Sequence, residues 1–115
     1  MHRRVILVSA IVLALGVPSA AYAALYGRVA APRSISLKKA NGTTVRHLSP
    51  GSRTFVIRDR ASNHNFHLTG PGVDKRTGIA FVGRRKWRNL QLSSGTYRYI
   101  CDVHPSTMRK SFTVG

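Results

Sequence analysis

Four turn clusters divide the chain from Ser34 onward: Asn41-Gly42, Ser49-Pro50-Gly51, Gly70-Pro71-Gly72 and Ser93-Ser94-Gly95. Between them lie short runs in which apolar and polar residues alternate. No stretch carries apolar residues at helical spacing. That combination excludes a helical bundle and a parallel α/β fold, and predicts strands over Ser34–Lys38, Thr43–His47, Arg53–Asp59, His64–Thr69, Ile79–Val82, Trp87–Leu92, Thr96–Cys101 and Arg109–Val114. About eight short strands in one small domain imply an all-β, Greek-key β-sandwich.

The domain does not use the whole chain of 115 residues. Met1-His2-Arg3-Arg4 is a basic start, Val5 to Val17 is apolar, and Ala21-Tyr22-Ala23 has the small-x-small form of a cleavage site. Residues 1–23 therefore read as a signal peptide, residues 24–33 as a leader, and residues 34–115 as the folded domain. An uncleaved anchor is the alternative, but the apolar run is short of the ~20 residues that a spanning helix needs. The expected location is outside the cytoplasm, in a periplasm or at a cell surface, after cleavage near Ala23.

An exported domain of this size would ordinarily lean on disulfides. This one has a single cysteine, Cys101. It must pair between chains, stay a reactive thiol or bind a metal. Strand alternation narrows the choice. Cys101 shares the face of Tyr97 and Tyr99, so it points inward at the end of its strand. His64 shares the face of Phe66 and Leu68 and points inward too, whereas His67 points out. Within the loop after Cys101 come His104 and Met108, the latter the one methionine beyond the expected cleavage site.

Two imidazoles and a thiolate form a trigonal set, and a distant thioether adds a weak axial contact. That donor set selects copper and suits electron transfer. Zinc is the competing metal, though its sites usually recruit four strong ligands. His67 is the alternative to His64 as the upstream ligand. A Cys-His hydrolase is disfavoured, since nothing marks an oxyanion pocket.

Gly95-Thr96-Tyr97-x-Tyr99-x-Cys101-x2-His104-x3-Met108, with His64-Asn65 upstream, resembles the cupredoxins, the small blue copper proteins, and above all the plastocyanin, amicyanin and pseudoazurin branch. The resemblance covers residues from about 34 to 115. It implies one type 1 copper ion held by His64, Cys101, His104 and Met108, with Asn65 joining the two ligand loops, and a one-electron carrier rather than an enzyme. The three residues between His104 and Met108 make the loop intermediate between those of amicyanin and plastocyanin. The acidic patch of plant plastocyanins is missing.

Nineteen lysines and arginines face three acids, Asp59, Asp74 and Asp102, for a formal net charge of +16. Such a surface draws anionic partners. The expected redox partner is an acidic protein meeting a monomer. Arg84-Arg85-Lys86, the one compact basic run, is the candidate docking cluster, on a loop near the copper end. Two other functions share the sequence: a copper storage or delivery module, and a copper-free module attracted to anionic cell-surface polymers. Sequence-specific nucleic-acid binding is not expected, because aromatic residues do not interleave with the basic ones. His47 reads as an ordinary surface residue, His67 as an outward histidine and Asp102 as loop surface.

Overall fold

The computed structural model describes residues 22–115. Most of the expected signal peptide, residues 1–21, lies outside the described residues. The described residues form nine strands in two sheets: β1 (Leu25–Ala30), β2 (Ser34–Lys38), β3 (His47–Leu48), β4 (Gly51–Asp59), β5 (His67–Gly70), β6 (Val73–Arg76), β7 (Gly83–Leu92), β8 (Gly95–Ile100) and β9 (Arg109–Val114). One sheet runs β2-β1-β4-β7 and the other β3-β9-β8-β5-β6. The described residues contain no helix. The sandwich expected from the sequence is the fold.

Alternation builds the core. Ile35 and Leu37 of β2, Phe55 and Ile57 of β4, and Trp87 and Leu92 of β7 meet Leu68, Tyr97, Tyr99, Phe112 and Val114 of the opposite sheet, all buried. Tyr99 stacks on Phe66 at 5.2 Å and Tyr97 on Phe112 at 5.3 Å. The Tyr97 hydroxyl accepts from the Ser93 amide at 3.0 Å and faces the Ser93 carbonyl at 2.9 Å, fastening the β7–β8 turn to the start of β8.

Several boundaries differ from expectation, each for a physical reason. Residues 25–30, expected as leader, are strand β1, which pairs antiparallel with β2 and parallel with β4. Leu25 and Val29 are its buried face, and Gly27 between them hides the alternation. That glycine permits a close approach: a Cβ there would stand 2.5 Å from Ile57 and 3.0 Å from the Phe66 ring. The expected strand over Thr43–His47 reduces to a single bridge, Lys38 to Thr44, followed by the short β3. The expected strand over Ile79–Val82 is absent: Ile79 and Val82 are exposed, and β6 is the strand that pairs with β5 instead. Ladder pairing of the fifth strand begins at His67, so His64, Asn65 and Phe66 belong to the loop before it.

Trp87, out of phase with Leu90 and Leu92 in the sequence, is brought inward by a bulge. Arg53 pairs with Leu90 but Phe55 with Trp87, so β7 carries one extra residue. Asn89 takes up the turn at φ 53°.

Candidate metal centre

Two loops and one turn meet at one end of the sandwich. The β4–β5 loop carries His64, the β8–β9 loop carries Cys101, His104 and Met108, and the β1–β2 turn carries Pro32. The two loops are fixed by their own bonds. In the first, the Asp59 carboxylate accepts from the Ala61 amide at 3.0 Å, and the His64 amide donates to the Ala61 carbonyl at 3.3 Å. Thr77 exchanges bonds with the Phe66 backbone, its hydroxyl accepting at 2.9 Å and its amide donating at 3.0 Å. In the second, the amides of His104 and Met108 donate to the carbonyls of Cys101 and His104 at 3.1 and 2.9 Å. The Cys101 amide donates to the Met108 carbonyl at 3.0 Å and closes the loop on itself.

The result is convergence. His64 Nδ1 lies 3.7 Å from Cys101 Sγ, and His104 Nδ1 lies 3.8 Å from it. The three donor atoms lie within 4.8 Å of one another. With zinc as a gauge for a first-row ion, bonds of about 2.3 Å to sulfur and about 2.0–2.1 Å to nitrogen at trigonal angles separate sulfur and nitrogen by about 3.8 Å. The donor spacing fits a single ion. His64 Nε2 is 2.7 Å from the Pro32 carbonyl, a bond that places the proton on Nε2 and leaves Nδ1 with its lone pair toward the sulfur. Cys101 and Met108 are fully buried and His64 is nearly so, while His104 is only half-buried. Partial desolvation, aided by the nearby Arg33 and His64, lowers the pKa of the His104 imidazole and favours the neutral ring that a metal requires.

The structure thus brings together His64, Cys101 and His104, and buries Met108 in the same loop. Asn65 spans the two ligand loops: its Oδ1 accepts from the Asp102 amide at 2.8 Å, and its Nδ2 donates to Asp102 Oδ2 at 2.8 Å and to the Thr77 carbonyl at 3.0 Å.

Asp102, expected as loop surface, is instead the centre of this latch. Burial opposes its ionisation, but bonds from His67 and Asn65 and the charges of His67 and Arg76 prevail and lower its pKa. His67, expected to be a plain outward histidine, sits between two carboxylates, with Nδ1 2.7 Å from Asp102 and Nε2 2.6 Å from Asp74. Both its nitrogens are engaged, so it has none to offer a metal. Asp102 lies beyond the end of β8, where alternation no longer applies, and parity in the sequence does not report it. Scarcity is the available signal: one of only three acids falls between two candidate ligands.

The basic run Arg84-Arg85-Lys86 is not a loop. It lies in β7, where Arg84 and Lys86 face outward and Arg85 stacks over Phe81 at 3.9 Å. The three cations do not form one patch, because alternation divides them between two faces.

No family model and no curated protein sequence matches the chain. Solved structures do. Reduced rusticyanin aligns with a TM-score of 0.55 and 18% identity over 85% of this chain and 82% of its own. Rusticyanin from Thiobacillus ferrooxidans aligns with a TM-score of 0.51 and 18% identity over 84% and 79%. An oxidized amicyanin variant aligns with a TM-score of 0.51 and 20% identity over 85% and 95%. At such identities the likeness establishes the fold, and the fold is the one that the ligand-loop resemblance implied.

Proposed function

We propose that this chain, a cupredoxin by fold, is an exported one-electron carrier that holds a single type 1 copper ion. His64 Nδ1, Cys101 Sγ and His104 Nδ1 would hold the ion, with the thioether of Met108, buried on the same loop, as the fourth candidate donor. Copper would supply the Cu(II)/Cu(I) couple. The observation that carries the reading is the convergence of those three donors, drawn from two loops and set around a fully buried thiol.

The chain's own contribution is positioning and exclusion. The Pro32 carbonyl fixes the His64 tautomer, and the Asn65–Asp102 latch holds one ligand loop against the other. Burial of Cys101 and Met108 keeps water from the sulfur side. A site fixed from several directions reorganises little between two charge states, which suits electron transfer better than chemistry on a bound substrate. The half-exposed edge of His104 offers the short route for an electron to reach a partner, expected to be an acidic redox protein. Support also comes from the structural neighbours: rusticyanin is described as a copper protein, and the neighbours include reduced and oxidized forms. Export rests on the character of residues 1–23.

Titration of the purified protein with Cu(II) tests the reading. A strong visible thiolate-to-copper charge-transfer band should grow to one equivalent and bleach reversibly on reduction. A colourless product that retains a titratable thiol would overturn it.

A further inference from the structure

The register of the four-stranded sheet contains an arrangement that packing does not explain. Arg28 of β1 lies opposite Arg58 of β4, and Arg58 lies opposite Arg84 of β7. Opposed residues of paired strands share a face, and neighbouring strands are about 4.8 Å apart. Three arginines therefore rise side by side from three adjacent strands. All three are exposed, and Arg58 alternates with the buried Ile57 and Asp59, so the row faces outward. Lys38 and Lys86 flank it in the next row down the sheet, opposite Tyr26 and Val56 respectively.

Like charges opposed across strands are destabilising, and no carboxylate among the described residues relieves them. The ion pairs of those residues join His67 and Arg76 to Asp74 and Asp102, on the other sheet. The third acid, Asp59, is buried. A groove of about 840 Å³ runs over the arginine row, bounded in part by Lys38, Lys86 and Lys110.

We propose that this face is a docking groove for a linear phosphate polymer without bases. A guanidinium matches phosphate oxygens through two parallel N–H bonds, and a row of them matches a repeating anion. Protein interfaces are rich in aromatic residues and depleted of lysine and serine. Beside its arginines this groove presents Lys38, Lys86, Lys110, Ser34 and Ser36 and, among the described residues, Tyr26 as its sole aromatic. A single-stranded nucleic acid would need a succession of stacking platforms, and a bilayer would need a face that projects rather than a groove. The proposal is independent of the metal centre.

The test is binding of fluorescent inorganic polyphosphate to the purified protein across a salt series, with and without copper. About five phosphate contacts give a slope of log K against log salt of about −3.5, taking about −0.7 per contact as for a flexible strand. The combined change Arg28→Ser, Arg58→Ser and Arg84→Ser should reduce the slope to about −1.4 and weaken binding roughly tenfold or more. A control with Lys75→Ser, Arg98→Ser and Arg109→Ser removes the same charge from exposed positions on the other sheet. It should keep most of the affinity. Should the triple variant misfold, Arg58→Ser alone should lower the slope by about 0.7. Equal losses in both variants would mean diffuse attraction and would overturn the proposal. So would ladder-dependent binding to an acidic protein or to phosphatidylserine vesicles with none to polyphosphate.

Discussion

Replacing Asn65 with Ala tests whether the two ligand loops are joined before any metal arrives. Asn65 is 1% exposed and makes three bonds of 2.8–3.0 Å, two to Asp102 and one to the Thr77 carbonyl. Truncation leaves the Thr77 carbonyl and the Asp102 amide without those partners. A buried polar group left unpaired costs about 1–3 kcal/mol. The Asp102 carboxylate keeps His67 and Arg76, so it adds less. The expected loss is about 3–5 kcal/mol, a large part of the roughly 5–15 kcal/mol typical of a folded protein. Urea unfolding of the metal-free protein reads it: at about 1–2 kcal/mol per molar, the midpoint should fall by about 1.5–5 M. A cycle with Asp102→Ala should show the two losses less than additive, since both remove the Asn65 Nδ2–Asp102 Oδ2 bond. The Asp102 amide still donates to Asn65 in the Asp102 variant. A loss below about 1 kcal/mol, or additive losses, would refute the latch.

His64→Ala should abolish the copper charge-transfer band and His67→Ala should retain it, as visible absorption after Cu(II) addition will show. Gly27→Ala should destabilise the fold by about 1–3 kcal/mol in the same urea assay, because the new methyl has to displace Ile57 and Phe66. Burial raises the Asp59 pKa against the opposing pull of the Ala61 amide, the Thr77 hydroxyl and His64. Folding therefore favours the neutral acid, and ionisation costs stability as pH rises through the unfolded value of about 3.8 to the raised folded one. The stability of the native protein relative to Asp59→Asn should decline over that rise, and a flat or opposite trend in urea unfolding at stepped pH would refute the sign.

What the sequence could disclose follows from where period-two alternation holds. Cys101 directly follows β8 and continues its alternation, so its inward direction was legible. His64 is inward as expected, but from a loop in which His64, Asn65 and Phe66 are all buried, so alternation did not disclose the inward Asn65. The bulge at Asn89 was visible as Trp87 falling out of phase. Alternation failed at Gly27, where the inward position has no side chain to report it, and β1 was hidden with it. It failed again at Ile79–Val82, where Ile79 and Val82 lie exposed with no ladder partner. The arginine row was not legible at all, because Arg28, Arg58 and Arg84 are scattered in sequence and only the register of three strands aligns them.

The placement of the acids connects the two proposals. With 19 basic side chains present, a carboxylate almost anywhere on the surface would find a cation, so ion pairing alone does not fix where the acids lie. All three serve the ligand loops. Asp59 anchors the start of the His64 loop, Asp102 joins it to the Cys101 loop, and Asp74 backs the His67 that Asp102 holds. His67 and Arg76 thus engage both Asp74 and Asp102 within one cluster. The opposed arginines on the outer face of the other sheet are left without a carboxylate. If the groove and the exposed edge of His104 are separate surfaces, copper loading should leave the salt slope for polyphosphate unchanged. A slope that shifted by roughly a unit or more on copper binding would show that the two surfaces are not separate.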